Sequence, residues 1–163
     1  MKARIHGFCE ENGLDSIDLT SMNLQGYIPP EISAGYFENL MFLDLSSNVL
    51  SSSIPMELFT LAKLIELNLS NNFLGGELPK EIGQLTGLTI LDISNNNFSG
   101  TINRYIGKMT NLEVLDLSNN QFVGSLPSEI AFLTKLQVLN VGGNNLTGTI
   151  PAELLKQLST LSI

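Results

Sequence analysis

The side chains best suited to chemistry are carboxylates that recur at one point of a repeated phrase. Asp18, Asp44, Asp92 and Asp116 each stand between two inward-type aliphatic residues, and Asn68 and Asn140 occupy the equivalent points. If Asp92 and Asp116 lie on neighbouring parallel strands, about 4.8 Å apart, they approach the roughly 5 Å carboxyl separation of a retaining glycosidase. That chemistry also needs a pocket that desolvates one acid and holds a sugar, and nothing in the sequence supplies one. A single His (His6) and a single Cys (Cys9) leave no catalytic dyad and no internal disulfide. There is no metal-ligand cluster and no Gly-rich phosphate loop, so neither enzyme activity nor a cofactor nor a metal is expected. What remains for a row of acids is the attraction of cationic groups. The net charge of -8 excludes a phosphate-neutralising face for nucleic acid. No run approaches the roughly 18 apolar residues of a membrane span.

The carboxylates are positioned by repetition. Taking the second residue of each Leu-x-Leu pair as an anchor gives Leu19, Leu45, Leu69, Ile93, Leu117 and Val141, spaced by 26 and then four times by 24 residues. Three residues after the anchors stand Met22, Asn48, Asn72, Asn96, Asn120 and Asn144. Five after come Leu24, Leu50, Leu74, Phe98, Phe122 and Leu146; seven after come Gly26, Ser52, Gly76, Gly100, Gly124 and Gly148. A Pro follows at 29, 55, 79, 127 and 151, replaced by Asn103 in the fourth copy. Six copies cover nearly the whole chain and account for its 29 Leu and many of its 17 Asn.

Each copy has a direct physical reading. Leu67 and Leu69 alternate with Glu66, Asn68 and Ser70, as a short strand with one buried face requires. Gly and Pro then turn the chain. The stretch Glu81 to Leu85 spaces its apolar residues three apart, which suits a 3₁₀ return. One copy is therefore one coil, and no coil buries its Leu face without neighbours. An Asn at the bend, with two donors and an acceptor, is suited to bond the backbones of adjacent coils. The column Asn48, Asn72, Asn96, Asn120 and Asn144 is expected to form such a structural ladder.

The phrases "LTILDISNNNFSGTI" and "LEVLDLSNNQFVGSLPSEIAFL" resemble the plant extracellular subclass of the leucine-rich repeat family, over about residues 14–161. The resemblance implies an α/β solenoid, a right-handed superhelix of about six 24-residue repeats with a concave parallel sheet and an irregular or 3₁₀ convex side. It divides the chain into a remnant of an N-terminal cap, 1–13, and a repeat domain, 14–163. Such caps carry paired cysteines; "HGFCEENGLDSIDL" matches only the tail of one, with the partner of Cys9 expected upstream of Met1. It also implies an extracellular or cell-surface location, as in receptor ectodomains, co-receptors and secreted inhibitors. Residues 1–13 hold no signal-peptide core. At the other end Leu158, Leu161 and Ile163 fall where a further coil would begin, so a longer ectodomain or self-association through an uncapped end is expected.

The concave face is where a partner is expected. One row reads Phe42, Glu66, Ile90, Val114 and Val138; the next reads Asp18, Asp44, Asn68, Asp92, Asp116 and Asn140. Five carboxylates lie here without a Lys or Arg, beside an apolar stripe. Leu-Asp-Leu-Ser is also the default strand of the subclass, so the acids serve either scaffold or ligand. Gly142-Gly143 and the Arg104-Tyr105 pair are read either as contact points or as drift. Sequons at Asn68, Asn97 and Asn145 are about as many as chance alone gives for 17 Asn; a glycan on Asn68 would obstruct the concave face. The leading functional expectation is recognition of a protein or peptide, cationic in part, by a plant cell-surface receptor. The alternatives are a secreted inhibitor of a cell-wall-degrading enzyme, like polygalacturonase inhibitors, and an ice-binding repeat protein using Ser53, Thr101, Ser125 and Thr149, a column broken by Tyr27 and Glu77.

Overall fold

A Leu-x-Leu step buries two side chains and leaves the residue between them at the surface, and the fold is this step repeated. The computed structural model describes residues 14–163 apart from Ala34 and Tyr36, so the cap-like segment with His6 and Cys9 lies outside the described residues. Seven three-residue strands form one parallel sheet in chain order: Ser16–Asp18, Phe42–Asp44, Glu66–Asn68, Ile90–Asp92, Val114–Asp116, Val138–Asn140 and Thr160–Ser162. The register advances by one repeat per strand, Glu66 against Ile90, Ile90 against Val114 and Val114 against Val138. The last step, from Val138 to Thr160, is two residues shorter.

The turn that follows each of these strands is more regular than Gly and Pro alone predict. A second parallel sheet of six strands runs through Gln25–Gly26, Val49–Ser52, Phe73–Glu77, Asn97–Thr101, Gln121–Gly124 and Asn145–Leu146. Its cause is a short alternation: Leu50, Leu74, Phe98 and Phe122 are buried while Val49, Phe73, Asn97 and Gln121 before them are exposed. The column continues inside the core, where the rings of Phe98 and Phe122 stack with centroids 6.4 Å apart. The return segments are 3₁₀ in five coils, Pro30–Ser33, Met56–Thr60, Lys80–Gln84, Arg104–Lys108 and Ser128–Phe132; one α-helical turn, Ala152–Leu155, takes their place in the last. Where Asn103 replaces Pro, its carbonyl oxygen accepts from Tyr105 N at 3.0 Å and its amide donates to Leu78 O at 2.8 Å. Side-chain capping there substitutes for the fixed φ of proline. Among the described residues no helix is long and apolar enough to cross a membrane.

Two columns hold the coils in register. Asn96 donates to Leu69 O of the preceding coil at 2.9 Å, and to Ile93 O and Ser94 O of its own coil at 3.2 and 3.1 Å. Its Oδ1 accepts Leu74 N at 2.9 Å. Asn48, Asn72, Asn120 and Asn144 repeat the pattern. The other column is one of backbone conformation: Gly26, Gly76, Gly100, Gly124 and Gly148 all have φ between 74° and 96°. Ser52 stands in that column at φ 73°, a region where a Cβ costs about 1–2 kcal/mol.

Two measurable consequences follow from these columns. Asn96→Ala leaves Leu74 N without its acceptor and takes one of two donors from each of three carbonyls, so chemical denaturation should show a loss of ~1–3 kcal/mol, with the fold itself kept. Ser52→Gly relieves the left-handed strain, and after the extra unfolded-chain freedom of glycine a net gain of about 1 kcal/mol remains. Unchanged or lower stability of the Ser52→Gly protein would contradict the strain assigned to that position.

Candidate binding face

The first and third residues of each concave strand look outward because the middle one is buried; Leu43, Leu67, Leu91, Leu115 and Leu139 are each 1% exposed or less. Strand register then lines the outward residues into rows. Phe42, Glu66, Ile90, Val114 and Val138 are successive partners, as are Asp44, Asn68, Asp92, Asp116 and Asn140. Phe42 is exposed and the other nine are half-buried. Ile90, Val114 and Val138 form an uninterrupted aliphatic stripe, while Glu66 separates Phe42 from it. Both rows extend one strand further than the 24-residue spacing indicates, to Thr160 and Ser162. The shortened last step hid them, although Thr160-Leu161-Ser162 repeats the polar–Leu–polar phrase.

The acid row has a structural task. Asp18, Asp44, Asp92 and Asp116 each accept, on one carboxylate oxygen, the N–H two residues on, from Thr20, Ser46, Ser94 and Ser118 at 2.8–3.0 Å. Asn68 does the same for Ser70 at 3.1 Å. The outer oxygens differ. Asp44 Oδ2 accepts from Asn68 Nδ2 at 3.0 Å and Asp116 Oδ2 from Asn140 Nδ2 at 2.7 Å. The outer oxygen of Asp92 has no hydrogen-bond partner among the described residues. Burial pushes the Asp92 carboxyl above the usual carboxylate range; the Ser94 N–H and hydroxyl pull it back, and the charges of Asp116 and Asp44 push it further up. Exposed Asp18 is held below its usual range by the Thr20 N–H and hydroxyl.

The remaining singled-out residues lie elsewhere or have local explanations. Gly143, at φ 68°, occupies the left-handed column of Ser47, Asn71, Asn95 and Asn119, all at φ 53–56°. Conformation admits a glycine there, and a Cβ at 143 would press on the Asn119 side chain. Arg104 and Lys108 stack over the Tyr105 ring at 5.6 and 5.1 Å, on a return segment away from the concave sheet. Asn97 and Asn145 open strands of the second sheet and are exposed. Ser53, Thr101, Ser125 and Thr149 are exposed near the ends of those strands, with Glu77 and Tyr27 in the same column.

Models of the leucine rich repeat match residues 86–146, 39–61 and 63–85. One chain of the BIR3–SERK2 complex from Arabidopsis thaliana is 35% identical, with 87% of this chain and 74% of that one covered at a TM-score of 0.76. The chain belongs to the plant receptor-type leucine-rich repeat family. It is also similar to the ectodomain of the Arabidopsis thaliana receptor kinase GASSHO1/SCHENGEN3, solved with CASPARIAN STRIP INTEGRITY FACTOR 2: 41% identity, TM-score 0.80, 84% of this chain and 17% of that one. The HAESA receptor kinase ectodomain from Arabidopsis, in complex with an IDA peptide hormone, matches at 37% identity and TM-score 0.80 over 85% of this chain and 24% of its own. The repeat chain thus spans about a sixth of the first of these ectodomain chains and a quarter of the second. No curated protein sequence matches it.

The position of Asp92 in this repeat array gives a pH-dependent expectation. Its carboxyl is harder to ionise in the folded than in the unfolded chain, so ionisation costs stability. That cost is absent below the carboxylate range and appears as pH rises through it. Asp92→Asn keeps an acceptor for Ser94 N, as Asn68 does for Ser70. The Asp92→Asn protein should melt higher than the parent at pH 7 and equally at about pH 3, where both side chains are neutral. A melting difference independent of pH would refute the electrostatic origin.

Proposed function

We propose that this chain is the ligand-recognition part of a plant cell-surface receptor, working outside the cell, and that it binds an extended peptide or protein segment across its concave face. The observation that carries the reading is the in-register stripe of Ile90, Val114 and Val138 beside a row of acids with no Lys or Arg. Half-exposed β-branched side chains in a row offer apolar anchors. The adjoining carboxylates favour a partner with Lys or Arg next to its apolar residues and penalise an acidic one. Support from relatives is of the same kind: similar ectodomains are described in complexes with a peptide hormone and with an integrity factor.

Within that face, Asp92 is the carboxylate best able to take a cation. Asp44 and Asp116 already share their outer oxygens with asparagines, and a cationic group at Asp92 offsets both its burial and its acidic neighbours. Calorimetric titration with extended peptides carrying Arg or Lys among aliphatic residues tests the proposal. Asp92→Lys together with Asp116→Lys should weaken binding tenfold or more, roughly 1.4 kcal/mol, and flatten its salt dependence. Val114→Ser should weaken it with the salt dependence kept. Binding that survives both sets of changes would place the ligand on another surface.

A further inference from the structure

The three sequons are equivalent in sequence and unequal in the fold. The Asn68 amide donates to Asp44 Oδ2 at 3.0 Å, and its carbonyl oxygen accepts from Ser70 N at 3.1 Å and from Ser70 Oγ at 2.8 Å. The hydroxyl of that sequon is thus spent on its own asparagine, and Ser70 is buried. Asn97 and Asn145 are exposed at the first position of strands in the second sheet; Thr147 is exposed and Ser99 half-buried.

Their surroundings are shaped in a way that Asn68 lacks. Asn97 pairs with Gly75 of the preceding coil, where a Cβ would stand 3.5 Å from the Asn97 Cβ. On the side of the preceding coil, therefore, no side chain competes for the space beside Asn97. Two residues before Gly75, on the same outer face, the ring of Phe73 is 57% exposed. Asn145 pairs with Val123, itself 40% exposed. Each accessible sequon therefore lies next to an exposed apolar side chain of the coil before it, and a sugar ring carries an apolar C–H face that fits such a neighbour.

We propose that Asn97 and Asn145 carry N-linked glycans and Asn68 does not, and that the first N-acetylglucosamine of each packs on Phe73 and Val123 respectively. The proposal rests on the extracellular reading above. In the modification, the amide Nδ2 attacks the anomeric carbon of an oligosaccharide carried on a lipid pyrophosphate. The N–C bond forms, the carbon–oxygen bond to phosphate breaks, lipid pyrophosphate leaves with the electron pair, and the amide gives up one proton. On Asn68 the same product would place a glycan between Asp44 and Asp92 on the face that takes the ligand. On Asn97 and Asn145 it clothes the second sheet and leaves the concave rows open.

The full chain, secreted from plant cells behind a secretory leader, tests the site choice. Peptide mapping after enzymatic glycan release in heavy-oxygen water should show occupancy at Asn97 and Asn145 and none at Asn68. Ser99→Ala and Thr147→Ala should each remove one glycan, and both together all of them, with the asparagines left in place. Comparable occupancy at Asn68, or secreted protein bare at Asn97 and Asn145, would overturn the assignment. For the packing, trimming to one N-acetylglucosamine should preserve the melting temperature, and full release should lower it and raise binding of an apolar dye. Phe73→Ser should shrink the dye response; no response to full release in the parent would overturn the packing. Because the leader imposes the secretory route, this result is independent of the peptide titrations, and either reading can fail while the other stands.

Discussion

The structure depends on satisfying backbone groups at the bend that follows each concave strand. There the chain leaves one sheet before entering the next, and the anchor carbonyl and one N–H would be buried without partners. The ladder asparagines meet this need with one side chain per coil, whose two N–H groups serve three carbonyls and whose oxygen accepts one N–H. Since one carbonyl and the N–H belong to the preceding coil, each amide also fixes the offset between neighbours. Register is therefore set by hydrogen bonds at the bend as well as by leucine packing, and leucines alone tolerate sliding better than directed bonds do.

A fixed offset is what turns scattered surface residues into rows. Ile90, Val114 and Val138 form a stripe only because Leu91, Leu115 and Leu139 are held at the same height. The same argument explains the acid column. The last residue of five concave strands accepts the N–H two residues on, and Asp and Asn both supply that acceptor. Choice between them is then free to be used for something else. Asn at 68 and 140 occupies the outer oxygens of Asp44 and Asp116 with amide hydrogen bonds and leaves the carboxylate at Asp92 with spare capacity.

The coil, its strand phrase and its 3₁₀ return were legible in the sequence because each rests on a local rule repeated in phase. Alternation marks the strand, Pro and Gly mark the turn, and a spacing of three marks the return. The second sheet was obscured because Gly76 and Gly100 read as turn residues, although Phe73-Leu74 and Asn97-Phe98 already alternate exposed and buried. The seventh strand was obscured because the α turn at Ala152–Leu155 shortens the last step. The candidate face was legible as a list of residue types. The inequality among its acids was not, since it arises from which outer oxygen an asparagine reaches across a strand, and no spacing in the sequence encodes that reach.

The two sheets divide the surface into parts with different chemistry, and one repeat phrase writes both. Between each anchor and its glycine lie the ladder Asn, an exposed residue and a buried apolar one, so a coil can change its outward residue without disturbing the ladder. Val49, Phe73, Asn97, Gln121 and Asn145 show that freedom at a single column, while Leu50, Leu74, Phe98 and Phe122 behind them stay apolar and buried. An exposed phenyl ring there has a solvation cost that the core does not require, since Leu74 already fills the inner position. A column that tolerates Asn and Gln as readily as Phe is under no packing constraint. The exposed ring at 73 thus has no explanation inside the fold, which is the ground for the sugar contact proposed there, as the aliphatic stripe is the ground for the proposed ligand.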